Sequence, residues 1–499
     1  MRRRTISWRA RLVAVGALGL VLAVAAAGAT VPRLDDVAAT GPGGGNRSDA
    51  LAIGAAGDAT NPSVGDATAA DGAGGTRPTS AGAGDTNGAS SGQPRASASG
   101  VARASRDYPP GVTDTSIRIG GSTFTSGPAA VYGEQIAVGF AAGVRYINDH
   151  GGINGRRIDL VLYDDGGDPA KQFTNAKRLV EVDKVFALAM LYAPITGEYV
   201  AAQRIPVFHL GQFDEEFTNP WWFPVGGPQR LASMSTAWFG AKKLGVKKAA
   251  IFYLDAGAAN YSRKYAEQAA SDWTAYGVEK PLLVPFGPDQ TSCSDAISQA
   301  RNAGVDFIDF EIDAAHVIKC GVEAQLQAYK PPKGWGGYLI GVPVIPQALG
   351  DYSLGMYAFD AFGALYDVPA YKEYVRKVSS STESYSSVTA SYFVSALLMR
   401  DAIASLGDDI TREGLRDALN GLRNWRPGLT NDPNQPTWTW TPQCHVALHG
   451  GYVIQVQKHD GELRWTQITP QFDTTPLPPG TGIPPQYAGC PSVFRQEPR

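Results

Sequence analysis

The sequence predicts an α/β protein of two lobes, each a parallel sheet flanked by helices. Short segments with a strand pattern, either apolar throughout or alternating, are separated by segments with a helix pattern. This alternation is typical of parallel sheets covered by helices on both faces. Three helical patterns end alike, with glycine followed by valine at 245–246, 277–278 and 304–305. These units are too many for one modest sheet, so we expect two lobes of about 120–180 residues each.

The first strand–helix unit of the ordered part begins near Asp114. Residues 116–120 alternate as a short strand, and the next helical segment has one apolar face, made by Ile136, Phe140, Val144 and Ile147. Gly151 and Gly152 end that helix. The strand that follows alternates at Ile158, Leu160 and Leu162.

The next units are marked by capping signals and buried strands. Asp168 followed by Pro169 is typical of a helix start. Further strands are expected at 185–190, 205–210, 249–254, 307–312 and 451–457, and further helices at 387–406 and after Thr411.

The first hundred residues differ in character from the rest. Arginines at positions 2–4, 9 and 11 precede an apolar run over 12–29, which predicts a secretory signal peptide, with an uncleaved anchor as the alternative. No cysteine follows this run closely, which argues against a lipid anchor. Residues 30–107 are rich in Gly, Ala and Ser, which predicts a disordered linker. We therefore expect an exported protein that is secreted or held at the cell envelope.

Composition argues against two classes of function. The net charge is −3 and no basic stripe is present, so nucleic-acid binding is not expected. Residues 120–124 lack the glycine pattern of a dinucleotide site, and the six histidines form no catalytic pattern with a nucleophile. We expect neither an enzyme nor a cofactor.

Four cysteines follow the leader. In an exported chain this even number suggests two disulfides. Their order and separations favour Cys293–Cys320 and Cys444–Cys490 among three connectivities. None sits at metal-ligand spacing, and we expect no metal site.

The block from residue 117 to residue 156 carries a resemblance to a known family. It contains SGPAAVYG at 126–133 and INDHGGINGR at 147–156, followed by a strand and Asp164-Asp165. In this order the chain resembles the type I periplasmic binding proteins of the branched-chain amino acid and amide group, over about 114–469. The GGINGR stretch is interpreted as a structural corner between helix and strand.

The resemblance implies an architecture and partners. It implies two Rossmann-like lobes joined by three crossover strands, a hinge that closes on a small ligand, and an ABC permease and ATPase that receive it. We expect a monomer; a ligand-sensing domain read by a partner protein is the alternative. The divisions are 1–29 leader, 30–107 linker, 114–230 and 356–440 first lobe, 231–355 and 441–470 second lobe, and 471–499 proline-rich tail.

The resemblance also implies ligand-binding residues in the first lobe. The loop after the first strand offers Thr125, Ser126 and Tyr132, whose hydroxyls and helix-start N–H groups suit a carboxylate or amide, or else only cap the helix. The two later loops offer Tyr192, Ala193, Gly211 and Gln212. Tyr192 stands where relatives prefer small residues, which argues against a plain branched-chain amino acid. Residues 221–223, Trp-Trp-Phe, are expected to pack under a loop rather than wall the cleft.

Three positions in the second lobe complete the predicted site. Asp255 ends a strand, and Tyr261 corresponds to an aromatic residue that relatives place over the ligand. Asp313 ends the strand 307–312, where relatives carry an acid that pairs with a ligand amine. It is equally suited to cap the helix that begins near Ala314.

Overall fold

The computed structural model describes residues 107–127, 130–191, 194–211, 214–255, 261–287, 290–338, 340–360, 368–380, 385–429, 437–447, 451–470 and 474–496. The side chains of Pro194, Ile195, Glu215, Tyr261 and Ser262 are outside this description. The predicted leader and nearly all of the predicted linker also lie outside the described residues.

Five parallel strands form the first sheet, in the order β2-β1-β3-β4-β5. They are β1 (Ser116–Thr123), β2 (Arg157–Asp164), β3 (Ala187–Ala189), β4 (Val207–His209) and β5 (Trp222–Pro224). The connecting helices are α1 (Ala130–Asp149), α2 (Pro169–Glu181) and α3 (Pro194–Ala202). Asp168 caps α2 as predicted, because its carboxylate accepts hydrogen bonds from the backbone N–H groups of Ala170 and Lys171.

The first lobe is this sheet together with helices from much later in the chain. These are α9 (Pro369–Val378), α10 (Ser387–Ala404) and α11 (Arg412–Gly421). Helix α10 packs on α1 so closely that a Cβ added at Gly139 would lie 2.3 Å from the carbonyl oxygen of Thr389. The two helices thus contribute the middle of one apolar core that includes Phe140, Phe393 and Leu397.

Seven strands form the second sheet, in the order β12-β11-β10-β9-β8-β6-β7. They are β6 (Lys248–Leu254), β7 (Glu279–Phe286), β8 (Phe307–Glu311), β9 (Trp335–Tyr338), β10 (Tyr357–Asp360), β11 (Tyr452–His459) and β12 (Glu462–Gln467). The second lobe is this sheet with α4 (Gln229–Phe239), α5 (Tyr261–Ala275), α6 (Ser294–Asn302), α7 (Ala314–Leu326) and α8 (Val344–Leu349).

The glycines predicted to end three helices do so in this lobe. Gly245, Gly277 and Gly304 all have positive φ, at 69°, 90° and 66°. Each ends a helix in the left-handed conformation, and a strand follows it. The expectation of a wholly parallel sheet is wrong at one edge of the second sheet. Strand β11 pairs antiparallel with both β10 and β12, so the second sheet is mixed rather than wholly parallel.

The chain passes between the two sheets three times. The passages lie between β5 and α4, between β10 and α9, and between residue 447 and β11. In the part of the chain that the structure describes, no helix has the length and hydropathy needed to cross a membrane.

Both predicted disulfides are present. Cys293 is joined to Cys320 and Cys444 to Cys490. The second bond holds the C-terminal segment, in which β13 (Thr475–Leu477) pairs with β14 (Phe494–Gln496). The stretch expected to be only a proline-rich tail therefore contains regular structure.

Candidate functional site

A hydrogen bond joins the two lobes at the carboxyl edges of their sheets. Tyr132 lies in the first turn of α1, just beyond β1, and its hydroxyl accepts a hydrogen bond of 2.9 Å from the backbone N–H of Ala314, the first residue of α7. Burial and the nearby negative charge of Asp313 raise the pKa of Tyr132, so its phenol stays protonated. In open α/β sheets, ligands bind outside these strand ends, which makes the region between Tyr132 and Asp313 the candidate site.

Asp313 acts as the N-cap of α7. Its carboxylate accepts from the backbone N–H groups of Ala315 and His316, at 3.0 and 3.1 Å, and lies 2.6 Å from Nδ1 of His316. Burial alone would raise the pKa of Asp313, but the hydrogen bonds and charge of His316 outweigh it and hold the pKa below its usual value. The capping alternative is thus confirmed, and contact with a ligand stays a prediction.

Acidic and phenolic groups from both lobes surround the strand ends. Tyr338 ends β9, and its pKa is raised first by burial and then by the negative charges of Asp360, Glu311 and Glu216. Asp360 and Glu311 end β10 and β8, whereas Glu216 belongs to the short helix Asp214–Phe217 of the first lobe. The resulting field favours a ligand group that is positive or donates hydrogen bonds.

Glu311 is tied to the helix that follows the first passage between the sheets. Its two carboxylate oxygens accept from Gln229 Nε2 at 2.5 Å and Ser233 Oγ at 2.6 Å, both on α4. Burial raises the pKa of Glu311. Burial, followed by the charge of Glu311, raises the pKa of neighbouring Asp309 well above its usual value, although Asp309 accepts a hydrogen bond from Trp273 Nε1. The pair therefore favours a protonated state of at least one carboxyl.

The donors of the loop after β1 bind one of the chain's own carboxylates. The backbone N–H and the hydroxyl of Ser126 donate to Asp164, at 3.1 and 2.5 Å. Burial raises the pKa of Asp164, but hydrogen bonds from Ser126, Gly166 and Thr125 together lower it below the usual value. The donors of Thr125 and Ser126 bind Asp164, and contact of this loop with a ligand stays a prediction.

The remaining predicted positions are only partly described. Asp255 follows β6, and its carboxylate forms an ion pair of 2.6 Å with Arg263. Gly211 is buried just after β4, where an added Cβ would lie 2.6 Å from the side chain of Phe217. Tyr192, Ala193 and Gln212 lie outside the described residues, as does the side chain of Tyr261. Contact of any of these with a ligand stays a prediction.

Sequence reasoning missed a buried pair in the first lobe. His209 Nδ1 lies 3.8 Å from Glu216 Oε2, and both side chains are 2% exposed. Burial lowers the pKa of His209 to about 3, so the imidazole is neutral at physiological pH. His209 could have been suspected because it lies near the end of the strand predicted at 205–210, but nothing in the sequence distinguishes Glu216.

The tryptophan-rich segment packs in the core, as expected. Trp221, Trp222 and Phe223 are 5%, 1% and 0% exposed. Trp222 lies on the side of the sheet that α2 and α3 cover, among Leu188 and Val207. These aromatic side chains therefore stabilise the first lobe.

The sequence profile of a family described as "Periplasmic binding protein" matches residues 116–462, which is most of the chain. The chain belongs to this family. The match includes the strands of both sheets up to the first residue of β12 and ends before β13.

Individual relatives are more distant. Leu/Ile/Val-binding protein homolog 7 of Brucella suis biovar 1 (strain 1330) is 26% identical over 248 residues, 44% of this chain. The chain spans less than two thirds of the curated relatives it matches, 59% in this case and 19% for homolog 1 of Brucella abortus (strain 2308).

Two solved structures show the same fold. A branched chain amino acid ABC transporter from Thermus thermophilus with bound valine has a TM-score of 0.64 and 16% identity, covering 73% of this chain and 98% of that one. A fatty acid ABC transporter substrate-binding protein from Thermomonospora curvata has a TM-score of 0.61 and 21% identity, covering 73% and 94%. The two-lobed periplasmic-binding fold predicted from the sequence is confirmed.

These relatives are named as binding proteins rather than enzymes. Within the described ranges, no three His, Cys, Asp or Glu side chains are grouped so that they could hold a metal ion.

Proposed function

We propose that this protein is an extracytoplasmic solute-binding protein that captures a small ligand between its lobes by hinge closure and delivers it to an ABC importer. The observation that carries the proposal is the hydrogen bond from Ala314 to Tyr132, which joins the two carboxyl edges in a family of binding proteins. Three chain passages connect lobes that meet at this contact, which is the geometry a hinge requires.

The ligand we propose is a small amino-acid-like, amide or amphipathic molecule with at least one N–H donor or positive group. Tyr338 lies within the influence of three carboxyl groups, so the second-lobe side of the cleft suits such a group. The first loop is a poor carboxylate site, because Asp164 already holds the donors of Ser126. The neighbours with this fold are named for valine and for fatty acid, so the fold alone does not select the ligand.

Family membership supports the remaining parts of the proposal. The protein acts as a monomer outside the cytoplasm, with a permease and an ATPase as its partners. The lobes correspond closely to the divisions expected from the sequence, 114–230 with 356–440 and 231–355 with 441–470. Two bounds need correcting: β10 (Tyr357–Asp360) pairs in the second sheet, and His445 binds Trp222 and Asn420 of the first lobe, so the chain returns to the second lobe only after residue 447.

A thermal-shift screen combined with small-angle scattering tests this function. Candidates are amino acids, amides, short peptides, amines, polyols and aromatic acids. A ligand at about 100 times its Kd stabilises the folded state by about 2.7 kcal/mol, which a melting curve resolves. We expect a raised melting temperature together with a smaller radius of gyration. Indifference to every class, with an unchanged radius, would contradict the proposal.

A further inference from the structure

The C-terminal segment 475–496 lies beyond the part of the chain that matches the family, which ends at residue 462. Its strands, two short helical turns and disulfide are nevertheless built into the folded protein. We propose that this segment, here called the strap, crosses the hinge and limits how far the two lobes open. The proposal rests on the hinge closure proposed above.

The strap contacts the first lobe through Gln486 and Tyr487. The hydroxyl of Tyr487 donates a hydrogen bond to the carboxylate of Asp214, and Gln486 Nε2 donates to its other oxygen at 3.0 Å. Asp214 is 6% exposed and begins the short helix after β4. Hydrogen bonds to a buried carboxylate are among the stronger ones in proteins, and breaking them leaves a charge without its donors.

The strap also contacts the second lobe. The hydroxyl of Tyr276, which follows α5, donates a hydrogen bond of 2.8 Å to the carbonyl oxygen of Pro476. The guanidinium of Arg495 lies over the ring of Trp238 in α4, 5.1 Å from its centroid. The strap is therefore attached at Pro476 and Arg495 to one lobe and at Tyr487 to the other.

Between these attachments the strap is anchored beside the hinge. The disulfide joins Cys490 to Cys444, in the segment that leads into the third passage between the sheets. Strap residues pack in an apolar cluster with residues of the first lobe and of α4, the helix after the first passage. The cluster also includes the segment that precedes the third passage between the sheets. Its members include Phe217, Leu231, Met234, Val446, Leu477, Val493 and Phe494.

A buried ion pair lies next to the same contact. Arg230 binds Asp272 within the second lobe, and its pKa, lowered mainly by burial, is also influenced by Tyr487 and Asp214. Arg230 of the second lobe, Asp214 of the first lobe and Tyr487 of the strap thus lie close enough to interact electrostatically. Moving Asp214 away from Arg230 would have to break the hydrogen bonds of the strap or pull the disulfide-anchored segment with it. The strap therefore adds a resistance to lobe opening that the three chain passages alone do not provide.

The test measures lobe separation without any ligand, so it can fail independently of the proposed function. Spin labels are attached at Lys171→Cys in α2 and Gln325→Cys in α7, both exposed and one in each lobe, and their distance distribution is recorded. Tyr487→Phe removes the hydroxyl that binds Asp214, and Gln486→Ala is a milder change at the same carboxylate. Tyr329→Phe is the matched control, since its hydroxyl binds the carbonyl of Val305 within the second lobe at 2.8 Å.

We expect Tyr487→Phe to increase the population of longer distances by about tenfold or more, from the loss of a hydrogen bond to a charged group. Gln486→Ala should shift the distribution in the same direction by less, and Tyr329→Phe should leave it unchanged. If both strap variants keep the distribution of the parent protein, even with a lower melting temperature, the strap only stabilises the fold and the proposal is overturned.

Discussion

Replacing Tyr132 with phenylalanine tests the contact that closes the candidate site. The ring is retained, and only the oxygen that accepts the Ala314 N–H at 2.9 Å is lost. Ala314 is 2% exposed, so in the closed form its N–H would be left buried without this acceptor. Once the lobes separate, water can replace the phenol. The substitution therefore acts on the closed form and spares the open one.

The expected size of the effect follows from that difference. A buried donor without a partner costs about 1–3 kcal/mol, which corresponds to ligand binding about 5- to 150-fold weaker. Isothermal titration calorimetry with ligands from the screen measures this change. Tyr352→Phe is the control, because its hydroxyl donates to the carbonyl of Tyr329 at 2.5 Å inside the second lobe. Its affinity should match that of the parent protein.

The pattern across ligands decides whether the reasoning holds. The hydrogen bond joins protein to protein, so every ligand that closes the lobes should lose the same factor. A loss that varies strongly from one ligand to another would assign the hydroxyl of Tyr132 to ligand contact instead. Unchanged affinity would show that the interlobe bond does not contribute to closure. Either result refutes the argument.

Two further predictions concern stability. Burial raises the pKa of Asp309 in the folded state, so the parent protein loses stability as pH rises from about 4, the unfolded value, towards the folded pKa. Asp309→Asn removes this loss, so melting curves should show a gain in stability that grows as pH rises above about 4. A difference that does not change with pH would contradict the assignment. Replacing Cys293 and Cys320 together by serine removes a disulfide that closes a loop of sequence separation 27. The free energy of unfolding, measured by urea titration, should fall by about 2–4 kcal/mol. Unchanged stability would contradict a structural role of this disulfide.

Much of the fold could be predicted because local signals agree with it. Asp168 followed by Pro169 marks a helix start by its chemistry, and Gly245 and Gly304 adopt the left-handed conformation that their place before valine suggests. The short strands β5, β9 and β10 were missed, since they have three or four residues and little alternation. Their places are determined by neighbouring strands rather than by their own sequence.

The site was less predictable, because its groups meet only through tertiary structure. Tyr132 was named as a candidate, but its partner, the backbone N–H of Ala314, carries no sequence signal. Ser126 has the residue type of a ligand contact, and only the position of Asp164 shows where its donors go. Glu216 and Tyr338 come from different lobes, and no local pattern connects them.

The late return of α9–α11 to the first lobe has a consequence for the order in which the protein folds. The first sheet is complete by residue 224, but the face of α1 that receives α10 has no partner until residues 387–404 arrive. The span 229–360 is contiguous and supplies five of the second sheet's strands with their helices. Contacts between distant segments form slowly, and a half-built lobe exposes apolar surface. The second lobe is therefore the part able to form first, and a chain cut before α10 leaves the first lobe with an open core that invites aggregation.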